Sequence, residues 1–227
     1  EVKLYEVKKT LIKYRKQPLY AMPAHFINST SYSILNFFIT GLFGLSSFGY
    51  YSMSYRILGL PLSLVSMNVS KVFFQRASEE KQNKGVYTKT LMQITVFLLC
   101  LAIPMVLVLV FLAPTLFEIV FGDGWYIAGK YAQLLAPMYG FRFIVSALTP
   151  ALVIAGEQRL EVLIQSLFII CSVIAYIICR YMMLEISNFL LIISSSYSVI
   201  YIILYFTIYR LSKSDKKLKF KGDKKND

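Results

Sequence analysis

Acidic residues are scarce in this chain, with 12 Asp and Glu against 24 Lys and Arg among 227 residues. None of them falls in the middle of a long apolar run: all lie in loops, tails or run ends. A carboxylate deep in a membrane, the usual seat of proton or cation coupling, is therefore not expected. Histidine is nearly absent, and His25, at the start of an apolar run, reads as an interfacial hydrogen-bonding residue. Cys100, Cys171 and Cys179 sit within apolar stretches, without the spacing of a disulfide frame or a metal site. No GxxxxGK[ST] phosphate loop, HExxH pair or nucleophile elbow appears. No cofactor is expected, no metal, and no enzymatic activity.

Apolar residues are abundant. They make up 57% of the chain, the mean hydropathy is +0.59, and only 16% of residues are charged. Ordinary soluble domains are less apolar, so the chain reads as an integral membrane protein. In a soluble protein a net charge of +12 would suggest nucleic acid. Here the lysines flank apolar runs, which suits anionic lipid headgroups better, and no nucleic-acid partner is expected.

A span needs about 20 mostly apolar residues, and six candidates emerge: 23–44, 48–69, 91–113, 131–155, 160–181 and 187–209. The fold class is all-α membrane protein: a basic linker over 1–22, a six-helix lobe over 23–210 and a basic tail over 211–227. Spans three and five are the most uniformly apolar and are expected to face lipid. Twenty of the 24 basic residues fall on one side of this layout, in 1–22, 71–90, at Arg159 and in 210–227. The positive-inside rule makes that side cytoplasmic, with both termini there. Trp125 and Tyr126, with Tyr50 and Tyr51, fit an aromatic belt at the outer interface. A multi-pass protein of the inner (cytoplasmic) membrane is expected. The start at Glu1, inside a basic amphipathic stretch, suggests a longer protein of which this is the C-terminal part.

Two arginines lie inside spans. Arg56 is about 12 Å and Arg142 about 16 Å from the outer boundary at 1.5 Å per residue, too deep to snorkel there easily. An arginine at such depth costs roughly 2.5–3.5 kcal/mol and normally faces a cavity. Its planar fork suits phosphate. Small polar residues recur at helical spacing around both. Span two carries Ser52, Arg56, Gly59, Ser63, Ser66 and Ser70; span one carries Ser29, Ser33, Asn36 and Thr40; span four carries Tyr139, Arg142, Ser146 and Thr149. Such residues also serve close helix packing, but two permanent cations point to anion handling.

The segments YYSMSYRILGLPLSLVSMNVSKVFFQRASEE and FGDGWYIAGKYAQLLAPMYGFRFIVSALTPALVIAGEQRLEVLIQ resemble the C-terminal half of Wzx-like polysaccharide-biosynthesis flippases. These belong to the multidrug/oligosaccharidyl-lipid/polysaccharide exporter superfamily. The resemblance implies one of two lobes around a cavity that opens alternately to each side, with a missing N-terminal lobe as its counterpart. It also implies translocation of undecaprenyl-diphosphate-linked oligosaccharide for surface polysaccharide such as O-antigen lipopolysaccharide or capsule. Polysaccharide polymerase machinery and membrane lipids would be partners. On this reading Arg56 and Arg142 attract the diphosphate, while Ser29, Ser33, Asn36, Ser52, Ser63, Ser146 and Thr149 meet sugar hydroxyls. The alternatives are a drug or cation antiporter of the same superfamily, a membrane-embedded glycan polymerase or ligase, and a scaffold subunit.

Overall fold

The computed structural model describes residues 22–214, apart from the side chains of 22–25, 28–29 and 31–32. Most of the expected linker and tail, with the side chains of His25 and Ser29, lies outside the described residues. Every described element is helical. The order is α1 (Met22–Pro61), a π turn (Leu62–Ser66), α2 (Met67–Lys84), α3 (Thr88–Phe121), a 3-10 turn (Asp123–Trp125), α4 (Tyr126–Leu148), α5 (Pro150–Ala155), α6 (Gln158–Met182) and α7 (Ile186–Ser212).

Five helical stretches are long and apolar enough to cross a membrane, where six separate spans were expected. The difference lies at the start, where Ser33–Lys84 forms one 52-residue stretch. A single residue breaks it. Gly44 has φ 81° and ψ 175°, a conformation that side-chain-bearing residues rarely adopt. Before the break, Phe38 stacks on Tyr176 of α6 at 4.4 Å and Phe43 meets Phe189 of α7 at 5.7 Å. After it, Tyr50 meets Trp125 and Tyr131, and the Ser54 hydroxyl donates to the Ala128 carbonyl at 2.6 Å. The two arms of α1 thus pack on different helices.

The stretch Asp123–Ala155, built on α4, is the centre of the bundle, with 61% of its most apolar segment buried, against 17% for α3 and 28% for α6. Small residues explain how it is enclosed. A Cβ on Gly129 would fall 2.4 Å from the Pro114 Cα of α3 and 2.7 Å from the Ala113 carbonyl oxygen, so the two backbones nearly touch there. Along their middle turns the exposed side chains of α3 and α6 are apolar, among them Ile103, Leu107, Phe111, Leu163, Ile170 and Ile174. Both helices have the outer surface expected of a lipid-facing segment.

At the end of the bundle near Gly85, a polar clasp joins four helices. Lys81, only 3% exposed, donates to the Ile154 carbonyl at 3.1 Å, near the C-terminal and electronegative end of α5. The Tyr87 hydroxyl donates to the Ala151 carbonyl at 3.4 Å, and its backbone N–H to Ser212 at 3.2 Å. Glu80 accepts from the Thr90 N–H at 2.9 Å. The clasp fixes the floor beside which the main cavity lies.

Candidate functional site

A cavity of about 1000 Å³ opens in the half of the bundle nearest Gly85. Tyr55, Gly59, Ser63, Ser70 and Lys71 form one wall. Arg142, Ser146, Thr149 and Val153, from α4 and α5, form the second, while Glu161, Gln165 and Phe168 of α6 and Tyr201 and Leu204 of α7 close it.

Arg142 is half-buried, with its guanidinium carbon 5.3 Å from the Tyr139 ring centre and 6.0 Å from that of Tyr55. The two rings meet edge to face at 6.3 Å. Ring faces attract a guanidinium, so the two rings help to hold it at the cavity wall. Lys71, exposed on the opposite wall, adds a second cation.

Three of the hydroxyls around them share one polarity. Ser63 donates to Leu60 at 2.9 Å, Ser146 to Phe143 at 3.3 Å and Thr149 to Val145 at 3.0 Å, all carbonyls of the same helical stretch. Their protons are committed, and what remains is oxygen lone pairs. The buried Gln165 Oε1 has no hydrogen-bond partner among the described residues. The cavity thus offers cations for an anion and acceptors for a ligand's own O–H or N–H groups.

Of the residues expected to bind substrate the structure brings together Arg142, Ser63, Ser146 and Thr149, and Gly59 and Ser70 of the span-two stripe line the same cavity. It does not bring Arg56, Ser52, Ser33 or Asn36 into that lining. Arg56 is exposed, and Ser52 half-buried, on the arm of α1 after Gly44; Ser33 and Asn36 are exposed on the arm before it. The cavity face of α1 runs through Tyr55 and Gly59, and Arg56 lies about 100° round the helix from Tyr55. The stripe of Ser52 to Ser70 also does not stay on one face. Beyond Pro61, whose ring nitrogen has no proton to donate, the π turn adds a residue to the turn and shifts the register. Ser66 is thereby turned inward, 2% exposed, donating to the Phe143 carbonyl at 2.8 Å.

Glu161, the acid at the start of span five, lies in the first turn of α6, at a span end as expected, and it also lines the cavity, a role not singled out from sequence. Lys71, Gln165 and Tyr55 were likewise not singled out from sequence. Their signal was weak: Lys71 and Glu161 read as flanking charges, and a lone Gln in a span reads as packing.

Beyond the cavity, the outer face of the first stretch differs from those of α3 and α6. Ser33, Asn36, Thr40, Arg56 and Asn68 are all exposed along it, interrupting the apolar residues. Residues 6–128, over half the chain, match the family described as Polysaccharide biosynthesis protein. The chain belongs to that family. No curated protein and no solved structure matches it. In this family member the matched segment holds the polar first stretch and α3, while Arg142 and the walls from α4 to α7 lie beyond it. With its five long apolar stretches, the chain is a multi-pass membrane protein of polysaccharide biosynthesis.

Proposed function

We propose that this chain is the C-terminal lobe of a Wzx-like flippase that carries lipid-linked oligosaccharide across the cytoplasmic membrane. The observation that carries the reading is Arg142, ring-held on the wall of a cavity that the Ser63, Ser146 and Thr149 hydroxyls line as acceptors. A diphosphate would be held at Arg142 and Lys71, and sugar hydroxyls would donate to Ser63, Ser146 and Thr149. Hydrocarbon rejects such a headgroup by several kcal/mol for each unpaired polar group; the cavity replaces its water while the polyprenyl tail stays in lipid. No bond is made or broken, so the protein acts as a transporter rather than an enzyme.

Six crossings suit this role. The arms before and after Gly44 pack on α6 and α4 respectively, helices joined by the reversal at Gly156, which supports a hairpin of two spans. The described basic residues Lys71, Arg76, Lys81, Lys84, Lys89, Arg159, Arg210 and Lys213 fall toward the Gly85 end, which would be cytoplasmic. With the native cysteines replaced, Ser46→Cys should react with an impermeant thiol reagent added outside cells; protection there would remove the hairpin. The polar outer face with Arg56 would look across a shared cavity to the missing N-terminal lobe, and rocking of the lobes would alternate access.

Glu161 favours one second reading, a drug or cation antiporter of the same superfamily. Two cations against one carboxylate in the lining weigh the other way. The test is Arg142→Gln in the complete protein, reading surface glycan and lipid-linked precursor. Loss of surface glycan with precursor accumulating is expected; normal export at normal protein level overturns the reading.

A further inference from the structure

A second cavity, of about 790 Å³, lies at the opposite end of the bundle, between the arm of α1 before Gly44 and the last turns of α6. Leu42, Phe43, Tyr176, Ile177 and Leu184 line it, and Arg180 stands among them as the one cation. No carboxylate lines it among the described residues. The main cavity carries an acid, hydroxyls and an amide; this one is an apolar groove with a single positive group.

We infer that this groove binds an anionic membrane phospholipid, with its phosphate at Arg180 and an acyl chain along Leu42, Phe43 and Ile177. Three observations bear on the occupant. Arg180 is exposed in the last turn of α6, where a guanidinium reaches headgroup level while its stem lies on apolar surface. Tyr176 and Tyr181 flank it, in the setting that amphipathic rings prefer at a membrane interface. The groove also follows a seam, because Leu42 and Phe43 directly precede the Gly44 break and that arm meets α6 through the Phe38–Tyr176 stack. A lipid there would seal the arm against the bundle. A free phosphate would gain the charge but not the apolar wall, so the lipid is the fitting source.

The test uses the complete protein, delipidated in mild detergent and offered phosphatidylglycerol, phosphatidylcholine or inorganic phosphate, with bound lipid read by native mass spectrometry and protection by thermal unfolding. Wild-type protein should retain phosphatidylglycerol in at least about ten-fold preference to phosphatidylcholine, and inorganic phosphate should neither protect nor compete. Arg180→Gln should erase the preference. Lys130→Gln, which removes a cation held over Tyr126 at the same end of the bundle (5.1 Å to the ring centre), should keep it. If Arg180→Gln does not fold, Ile177→Trp, which fills the groove while leaving the charge, should lower lipid retention. Equal retention of the two lipids by wild-type protein, an unchanged preference in Arg180→Gln, or protection by inorganic phosphate alone would overturn the inference. The readout involves no glycan transport, so it stands or falls apart from the flippase reading.

Discussion

The Ser66 hydroxyl donates to the Phe143 carbonyl at 2.8 Å, joining the first stretch to α4 one residue from Arg142. The contact sits where the π turn ends, so it sets the rotation of everything from Met67 to Lys84 against the cavity's second wall. Phe143 also accepts from Ser146, at 3.3 Å, which places two hydroxyls on one carbonyl beside the cavity.

Ser66→Ala should lower unfolding stability by about 0.6–1 kcal/mol, the range for a polar contact between membrane helices. Ser63→Ala, which removes an exposed hydroxyl bonded within its own helix, should change it by no more than a few tenths. Thermal unfolding in detergent reads both. Equal effects would mean that the Ser66 bond does not hold the walls together.

The contrast between these two serines shows how far the sequence was legible. The apolar periods and the basic asymmetry mark out the helices and their ends, because burial in lipid forces long uniform runs. The side chains that line the cavity were harder. A 3.6-residue stripe assumes an unbroken helix, and the π turn after Pro61 violates that, sending Ser66 inward while Ser63 stays on the cavity. Ser54, wholly buried and bonded to Ala128, drew no notice because it lies off the stripe. Glu161 looked like a boundary charge, since its place in the cavity wall depends on how α6 packs. Arg142 was legible because a guanidinium at that depth needs a polar space wherever it lies.

Gly129 and Gly140 both face α3, but their neighbours differ in kind. A Cβ at Gly129 would meet the backbone of Ala113 and Pro114, whereas at Gly140 it would meet a methyl of Val106 at 2.5 Å. Gly129→Ala should therefore force the helices apart and cost about 1–3 kcal/mol or more. Gly140→Ala should cost less, because a side chain yields where a backbone does not. The order of unfolding temperatures, wild type above Gly140→Ala above Gly129→Ala, checks this; a reversed order would refute the close approach at Gly129.

Burial pushes the Tyr87 phenol, in the turn between α2 and α3, from 10.0 up to about 12. The folded state thus keeps the proton where the unfolded chain has lost it. Stability from this group is fully present below pH 10 and is lost as pH rises from 10 through 12, since the unfolded state then binds fewer protons. Unfolding temperature should fall more steeply over that interval in wild-type protein than in Tyr87→Phe. The variant should start slightly lower, having lost the long bond to Ala151. Parallel curves from pH 10 to 12 would show that Tyr87 does not carry the effect.

Glu161 separates the two transport readings because its charge acts with opposite sign on their ligands. It shares the cavity with Arg142 and Lys71. If the ligand is a diphosphate, the carboxylate repels it, and Glu161→Gln should tighten binding. At an effective dielectric near 20, neutralising one charge about 8 Å away is worth about 2 kcal/mol, or roughly thirty-fold in affinity. Arg142→Gln should shift binding the other way by at least as much, since it removes the attracting charge. If the ligand is a cation, the signs exchange: Glu161→Gln weakens binding and Arg142→Gln does not. Titrating purified protein with an undecaprenyl-diphosphate-linked glycan, and separately with tetraphenylphosphonium, measures both directions in one series. Tighter phosphonium binding in Arg142→Gln, combined with unchanged glycan binding in both variants, would move the chain from flippase to antiporter.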